Sequence, residues 1–135
     1  MFLLDTVALS DLTKSRPNLG FRAWLRLQDP ARVFVSVVAL GEIERGIESQ
    51  RSSVPDFARR LEAWRDNVIL SYGERILGVT TQIALTWGRL GERRGHMNAD
   101  LLIAATAIGH DLAVVTRNVR HFEGTGAKVL NPFDG

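Results

Sequence analysis

The chain opens with an apolar run that stops at an acid, Phe2-Leu3-Leu4-Asp5-Thr6. Three successive apolar residues read as a strand buried on both faces, as in a parallel sheet covered by helices on either side. Val33-Phe34-Val35-Ser36, Leu112-Ala113-Val114-Val115-Thr116 and Lys128-Val129-Leu130 read as further strands. Stretches with helical periodicity separate them. Such strand–helix alternation implies parallel strands joined by right-handed crossovers in an α/β domain. Asp5 then falls at the carboxyl end of the first strand, the edge where open α/β sheets bind ligands. A carboxylate withdrawn from water there is costly unless something positive meets it.

The intervening segments carry their own punctuation. Residues 7–14 predict a short helix broken at Arg16-Pro17-Asn18, and Phe21, Trp24, Leu25 and Leu27 a second one ended by Asp29-Pro30. Val37 to Gln50 repeats apolar residues at Val38, Leu40, Ile43 and Ile47, with Ser36 placed to cap it. Glu42 falls inside that apolar stretch, whereas Glu44, Arg45 and Glu48 mark a wetter face. Val54-Pro55-Asp56 opens a helix with an inward stripe of Phe57, Leu61, Trp64 and Val68. Either Ile69-Leu70 or Ile76-Leu77 supplies a short strand. Thr80 or Thr81 caps a helix that runs to about Arg94 and ends at Gly95. Its stripe is Ile83, Ala84, Trp87 and Leu90. After Asn98 comes Asp100 and then an apolar run from Leu101 to Ile108, a helix buried almost all round.

A chain of 135 residues suits one domain, spanning 1–135, and no repeat, low-complexity segment or linker divides it. With no cysteine, disulfides and thiolate metal sites are excluded, and a cytoplasmic location is permitted and expected. No apolar run approaches a membrane span, and no basic region precedes the first apolar residues, so neither a membrane partner nor a signal peptide is expected. The basic residues are two lysines against fifteen arginines. Arginine grips phosphate bidentately, which points mildly to nucleic acid, although GC-rich coding produces the same bias.

Asp5 ends a buried strand, Glu42 lies in an apolar helix, and Asp100 opens a buried helix. Asn118 follows the late strand and can reach the same edge. Each has an ordinary explanation: Asp5 and Asn118 as caps or turn residues, Glu42 as a surface residue, Asp100 as a first-turn acid favoured by the helix dipole. Together they outline an oxygen-rich cage. Like charges so placed cannot all ionise without a cation. Hard divalent ions such as Mg²⁺ or Mn²⁺ suit oxygen donors, and such an ion activates water and neutralises a phosphoryl transition state. The cage therefore predicts phosphodiester chemistry. Arg117 and Arg120 flank Asn118 and are candidate RNA contacts. Arg93 and Arg94 are weaker ones, because the last turn of a helix favours cations anyway.

Four motifs in order resemble those of PIN-domain nucleases, specifically the VapC-type toxins of toxin–antitoxin pairs. They are Leu3-Leu4-Asp5-Thr6 with Leu9-Ser10, Ser36 to Ile43 with Gly46-Ile47, Asp100 to Ala107, and Val114 to Asn118 with Phe122. Leu130-Asn131-Pro132 also fits. The resemblance spans the chain and implies a three-layer fold with a central, mainly parallel sheet flanked by helices. It implies a Mg²⁺- or Mn²⁺-dependent endoribonuclease, a homodimer, and a cognate antitoxin that occludes the acidic site. It casts Asp5, Glu42 and Asp100 as the acidic triad and metal ligands, Asn118 as the fourth site residue, and Thr6 and Thr116 as supporting hydroxyls. Early helices often form the antitoxin groove in this family, which nominates Phe21, Trp24 and Leu25. The chain departs from the pattern at Val7, where the family carries Asn, at Ala39 for Thr, and at His121 for an acid.

Val7 also removes the second acid that an aspartyl phosphatase requires two residues after its nucleophile. It keeps open a second reading, a catalytically weak PIN fold that binds RNA or an antitoxin. No GxGxxG or Walker loop is present, and His96, His110 and His121 lack metal-ligand spacing. His121 alone lies near the expected mouth, within reach of a phosphate.

Overall fold

The computed structural model describes residues 1–135. Its strands are β1 (Phe2–Leu4), β2 (Val33–Ser36), β3 (Ile76–Leu77), β4 (Ala113–Val115) and β5 (Lys128–Leu130). The helices are α1 (Thr6–Asp11), α2 (Leu19–Arg26), α3 (Val37–Gln50), α4 (Pro55–Tyr72), α5 (Thr81–Arg94) and α6 (Ala99–His110). All neighbouring strands pair in parallel, in the order β3-β2-β1-β4-β5. Of the two candidates for the third strand, Ile76-Leu77 is the one formed, and Leu70 is 80% exposed on α4.

Side chains alternate across the strands, and this alternation builds two cores. Leu4, Val35 and Val115 face one side and pack with Leu9, Phe21, Ile43, Ile47 and Val68, from α1 to α4. Leu3 and Val114 face the other and pack with Ile83, Leu90, Leu101 and Ile103, from α5 and α6. The result is the expected three-layer α/β arrangement. No helix is long and apolar enough to cross a membrane.

The helix starts follow side-chain chemistry. Asp5, Asn18, Ser36, Thr80 and Asn98 each accept a hydrogen bond from a backbone N–H in the first turn of the helix they cap. Thr80 is thus the cap rather than Thr81. Gly95 ends α5 at φ 78°, a left-handed conformation that favours glycine. The first helix is shorter than the predicted 7–14 because it tightens: Leu12, Thr13 and Lys14 donate to the carbonyls of Leu9, Ser10 and Asp11. In α4 the expected inward stripe holds at Leu61, Trp64 and Val68, which pack against the core, and fails at Phe57. Ala58 and Val68 are buried, whereas Phe57 is partly exposed on a groove.

Arg75 fastens the start of β2. One guanidinium nitrogen donates to the carbonyls of Pro30 and Val33, each at 2.7 Å, and another to that of Ser71 at 2.8 Å. The group also stacks over Tyr72 at 4.5 Å. This joins the end of α4 to the start of β2. Hydrogen bonds from a charged donor are each worth roughly 1.5–3 kcal/mol. Part of that is lost to solvent here, so Arg75→Ala should cost about 2–3 kcal/mol in urea unfolding. Arg75→Lys should recover only part, because an ammonium cannot reproduce the fork. Superimposable curves for wild type and Arg75→Ala would remove Arg75 from this role.

Candidate active site

The strand order reverses beside β1: the chain leaves β1 for β2 on one side and returns to β4 on the other. Connections leaving β1 and β4 therefore part, opening a crevice at their carboxyl ends. In register, Leu4 lies opposite Val115. Asp5 and Thr116 are each one residue beyond that pair, and the Asp5 N–H donates to the Val115 carbonyl at 3.1 Å.

Asp5 is 2% exposed. Its Oδ1 accepts the N–H of Ala8 at 2.8 Å, so it caps α1. Burial raises its pKa to about 6, and the charges of Asp100 and Glu42 push the same way. Hydrogen bonds from the Thr116 hydroxyl and the Ala8 amide oppose the rise. The Thr116 hydroxyl in turn accepts the N–H of Asn118 at 2.8 Å. Thr116 thereby connects the turn after β4 to the buried acid.

The other two carboxylates approach from helices. Glu42 lies exposed on α3, and its Oε1 accepts the Thr6 hydroxyl at 2.5 Å. Asp100 lies in the first turn of α6, where Asn98 does the capping, and its Oδ2 meets His121 Nδ1 at 2.7 Å. All three acids act on one electrostatic site, since Asp5 feels both others. They do not close into a three-ligand cluster. Glu42 turns to Thr6 and Asp100 to His121, as like charges do when each finds its own hydrogen-bond donor. The donor set is nevertheless all oxygen at its centre, which suits a hard divalent cation.

Two polar clefts share Arg120 and His121, and one of them takes in Asp100. One, of about 320 Å³, is lined by Arg117, Asn118, Val119, Arg120, His121 and Asn131. The other, of about 240 Å³, is lined by Arg94, His96, Asn98, Asp100, Arg120 and His121. Arg94 and Arg120 thus reach the neighbourhood of Asp100, and Arg117 that of Asn118. Arg117 is stacked over Phe133 at 4.8 Å, and Arg94 donates to the Glu123 carbonyl. Arg93 is exposed and lines neither cleft. The Asp100–His121 bond is absent from the sequence-based site, because no local pattern joins the start of α6 to the turn after β4.

A third groove, of about 290 Å³, runs from Thr6 and Glu42 along α1, α3 and α4, over Ile43, Ile47, Phe57, Leu61 and Trp64. Of the residues expected to line a groove, Leu25 lines a separate one of about 260 Å³ with Tyr72 and Arg75, whereas Phe21 and Trp24 are packed inward. Phe21 is fully buried, stacked on Phe133 at 4.6 Å, and Trp24 packs edge-on against Phe2 at 4.9 Å. These aromatics close the core beneath α2, where they bury more apolar area than an open groove would.

Comparison with known proteins places the fold. VapC ribonuclease Y4jK of Sinorhizobium fredii is 28% identical, with 99% of each chain covered. Toxin FitB of Neisseria gonorrhoeae is 29% identical, covering 98% of this chain and 99% of that protein. The crystal structure of FitAcB from Neisseria gonorrhoeae superimposes with a TM-score of 0.83 at 27% identity, covering 98% of both chains. The PIN domain family matches residues 2–127, and the chain belongs to that family.

Proposed function

We propose that this protein is a metal-dependent endoribonuclease that hydrolyses RNA phosphodiester bonds as the toxin of a toxin–antitoxin pair. The observation that carries the reading is Asp5. It is a buried acid at the sheet's switch point, held by Thr116 and Ala8 and raised to about 6 by burial and by two further carboxylates. A fold does not shelter such a charge without return. The relatives named a ribonuclease and a toxin support the same conclusion.

Asp5, Glu42 and Asp100 are the residues that would hold Mg²⁺ or Mn²⁺, with the Asn118 amide beside them. When bound, such an ion supplies charge neutralisation at the phosphoryl group and a more acidic water. Thr6 and Thr116 orient two of the carboxylates by hydrogen bonds, at Glu42 and Asp5 respectively. Arg94, Arg117 and Arg120 offer positive charge to phosphates on either side of the acids. The apolar groove beside Thr6 and Glu42 is the surface we assign to the cognate antitoxin, whose segment there would also obstruct the acids. A second copy of the chain completes the assembly as a homodimer, for which exposed Leu85 on α5 and Ile108 on α6 provide apolar contact area.

Val7 sustains the alternative, a binding module of low catalytic power. It stands half-buried in the first turn of α1, where the family carries an amide. Purified protein freed of antitoxin should cleave structured RNA with Mg²⁺ or Mn²⁺ and not with EDTA. Asp5→Asn and Asp100→Asn should each lower the rate at least about a hundredfold, as loss of a main electrostatic contact does. Metal binding without cleavage of any RNA, restored by Val7→Asn, would favour the module instead.

Asp5 also predicts an opposition between function and stability. Its carboxyl ionises at about 6 when folded and at about 3.8 when unfolded. Between those values the folded state binds more protons, so stability falls as pH rises toward 6 and then levels. Asp5→Asn keeps the capping oxygen and has no charge to bury. In EDTA near pH 7 the variant should therefore melt at a higher temperature than wild type, and the gap should close toward pH 4. Parallel melting curves across that range would show that Asp5 is not strained by burial.

The arginines can be sorted by salt dependence. Arg120→Ala should weaken RNA binding in EDTA and reduce the slope of log affinity against log salt by about one. Arg93→Ala should leave the slope unchanged. Equal effects of the two would dissolve the distinction between cleft and surface arginines.

A further inference from the structure

We propose that His121 is a positioning residue for Asp100, holding one carboxylate oxygen so that the other is presented to a bound divalent cation. The inference rests on the reading of Asp100 as a metal ligand. His121 Nδ1 lies 2.7 Å from Asp100 Oδ2. A carboxylate offers only acceptors, so the shared hydrogen sits on Nδ1. No lysine or arginine pairs with Asp100, and His121 is its one polar side-chain partner. Asn98 takes the capping work of α6, which leaves the Asp100 carboxylate free of backbone duties.

The imidazole is delivered by a braced turn. His121 N–H donates to the Asn118 carbonyl and Phe122 N–H to that of Val119, each at 3.0 Å. Phe122 next door is 1% exposed and anchored in the core between the sheet and α5–α6. The turn that carries Asn118 is thereby tied to the helix that carries Asp100. Arg94 and Arg120 line the same cleft as Asp100 and His121. With the imidazole on Oδ2, the acid is bonded to neither guanidinium, and Arg120 stays available to phosphate. Partners of this kind set the orientation of a ligating carboxylate, and their loss typically weakens metal binding by about 10–100-fold.

The test is Mn²⁺ binding by calorimetry, with no RNA present, to wild type, His121→Phe, His121→Asn, Asp100→Asn and the Asp100→Asn/His121→Phe double variant. His121→Phe should weaken Mn²⁺ binding by about 10–100-fold. His121→Asn should retain most of the affinity, because its amide can donate from near the Nδ1 position. In the Asp100→Asn background, His121→Phe should cost nothing more, since His121 acts through Asp100. Wild-type affinity in His121→Phe, failure of His121→Asn to rescue, or an equal loss in both backgrounds would each overturn the proposal. Unchanged affinity in Asp100→Asn would instead overturn the reading of Asp100 on which it rests. Circular dichroism of each variant separates loss of fold from loss of the contact.

Discussion

Everything at the site depends on β1 pairing in parallel with β2 on one side and β4 on the other. That double pairing makes β1 the central strand and sets the reversal of strand order beside it. Only there do two connections leave the sheet in opposite directions, so only there does a crevice open at the carboxyl edge. Asp5 is the next residue after β1, and Thr116 the next after β4. Their encounter follows from register alone.

The same pairing makes Asp5 expensive. A carboxylate buried at the end of β1 loses its hydration, and the two neutral donors that reach it, the Thr116 hydroxyl and the Ala8 amide, do not replace what water supplied. Asp100 and Glu42 add repulsion rather than relief. A cation bound among them would attract all three carboxylates and so offset that repulsion. The site is therefore built with an electrostatic deficit that a divalent ion is suited to fill, while the surrounding helices carry the stability. Val35, Val115 and Ile47 pack one side of the sheet and Val114, Leu101 and Ile103 the other. The acids contribute little to either core.

Neighbouring positive charge is kept apart from the acids in a graded way. Arg117 rests on Phe133, Arg94 is fastened to the backbone at Glu123, and Asp100 is bonded to His121 rather than to an arginine of its cleft. If a guanidinium instead paired with Asp100, the proposed ion site and the proposed phosphate contact would neutralise each other. Distributing these partners among turns and the end of α5 keeps both functions open.

The strands at Phe2–Leu4, Val33–Ser36 and Lys128–Leu130, the cap at Ser36, and the buried run of α6 were all legible in the sequence. Each depends on short-range physics: the two-residue period of a strand, the three-to-four-residue period of a helix, and a side chain bonding an amide two or three residues on. Asp5, Glu42, Asp100 and Asn118 could be singled out for the same reason, as polar residues placed against local apolar patterns. Tertiary structure decided their partners. Thr116 beneath Asp5, Thr6 on Glu42, His121 on Asp100, and the withdrawal of Phe21 from any groove each join segments remote in the chain. Those contacts are set by which arrangement of layers buries the most apolar surface without orphaning polar groups, and that free energy belongs to the whole packed domain.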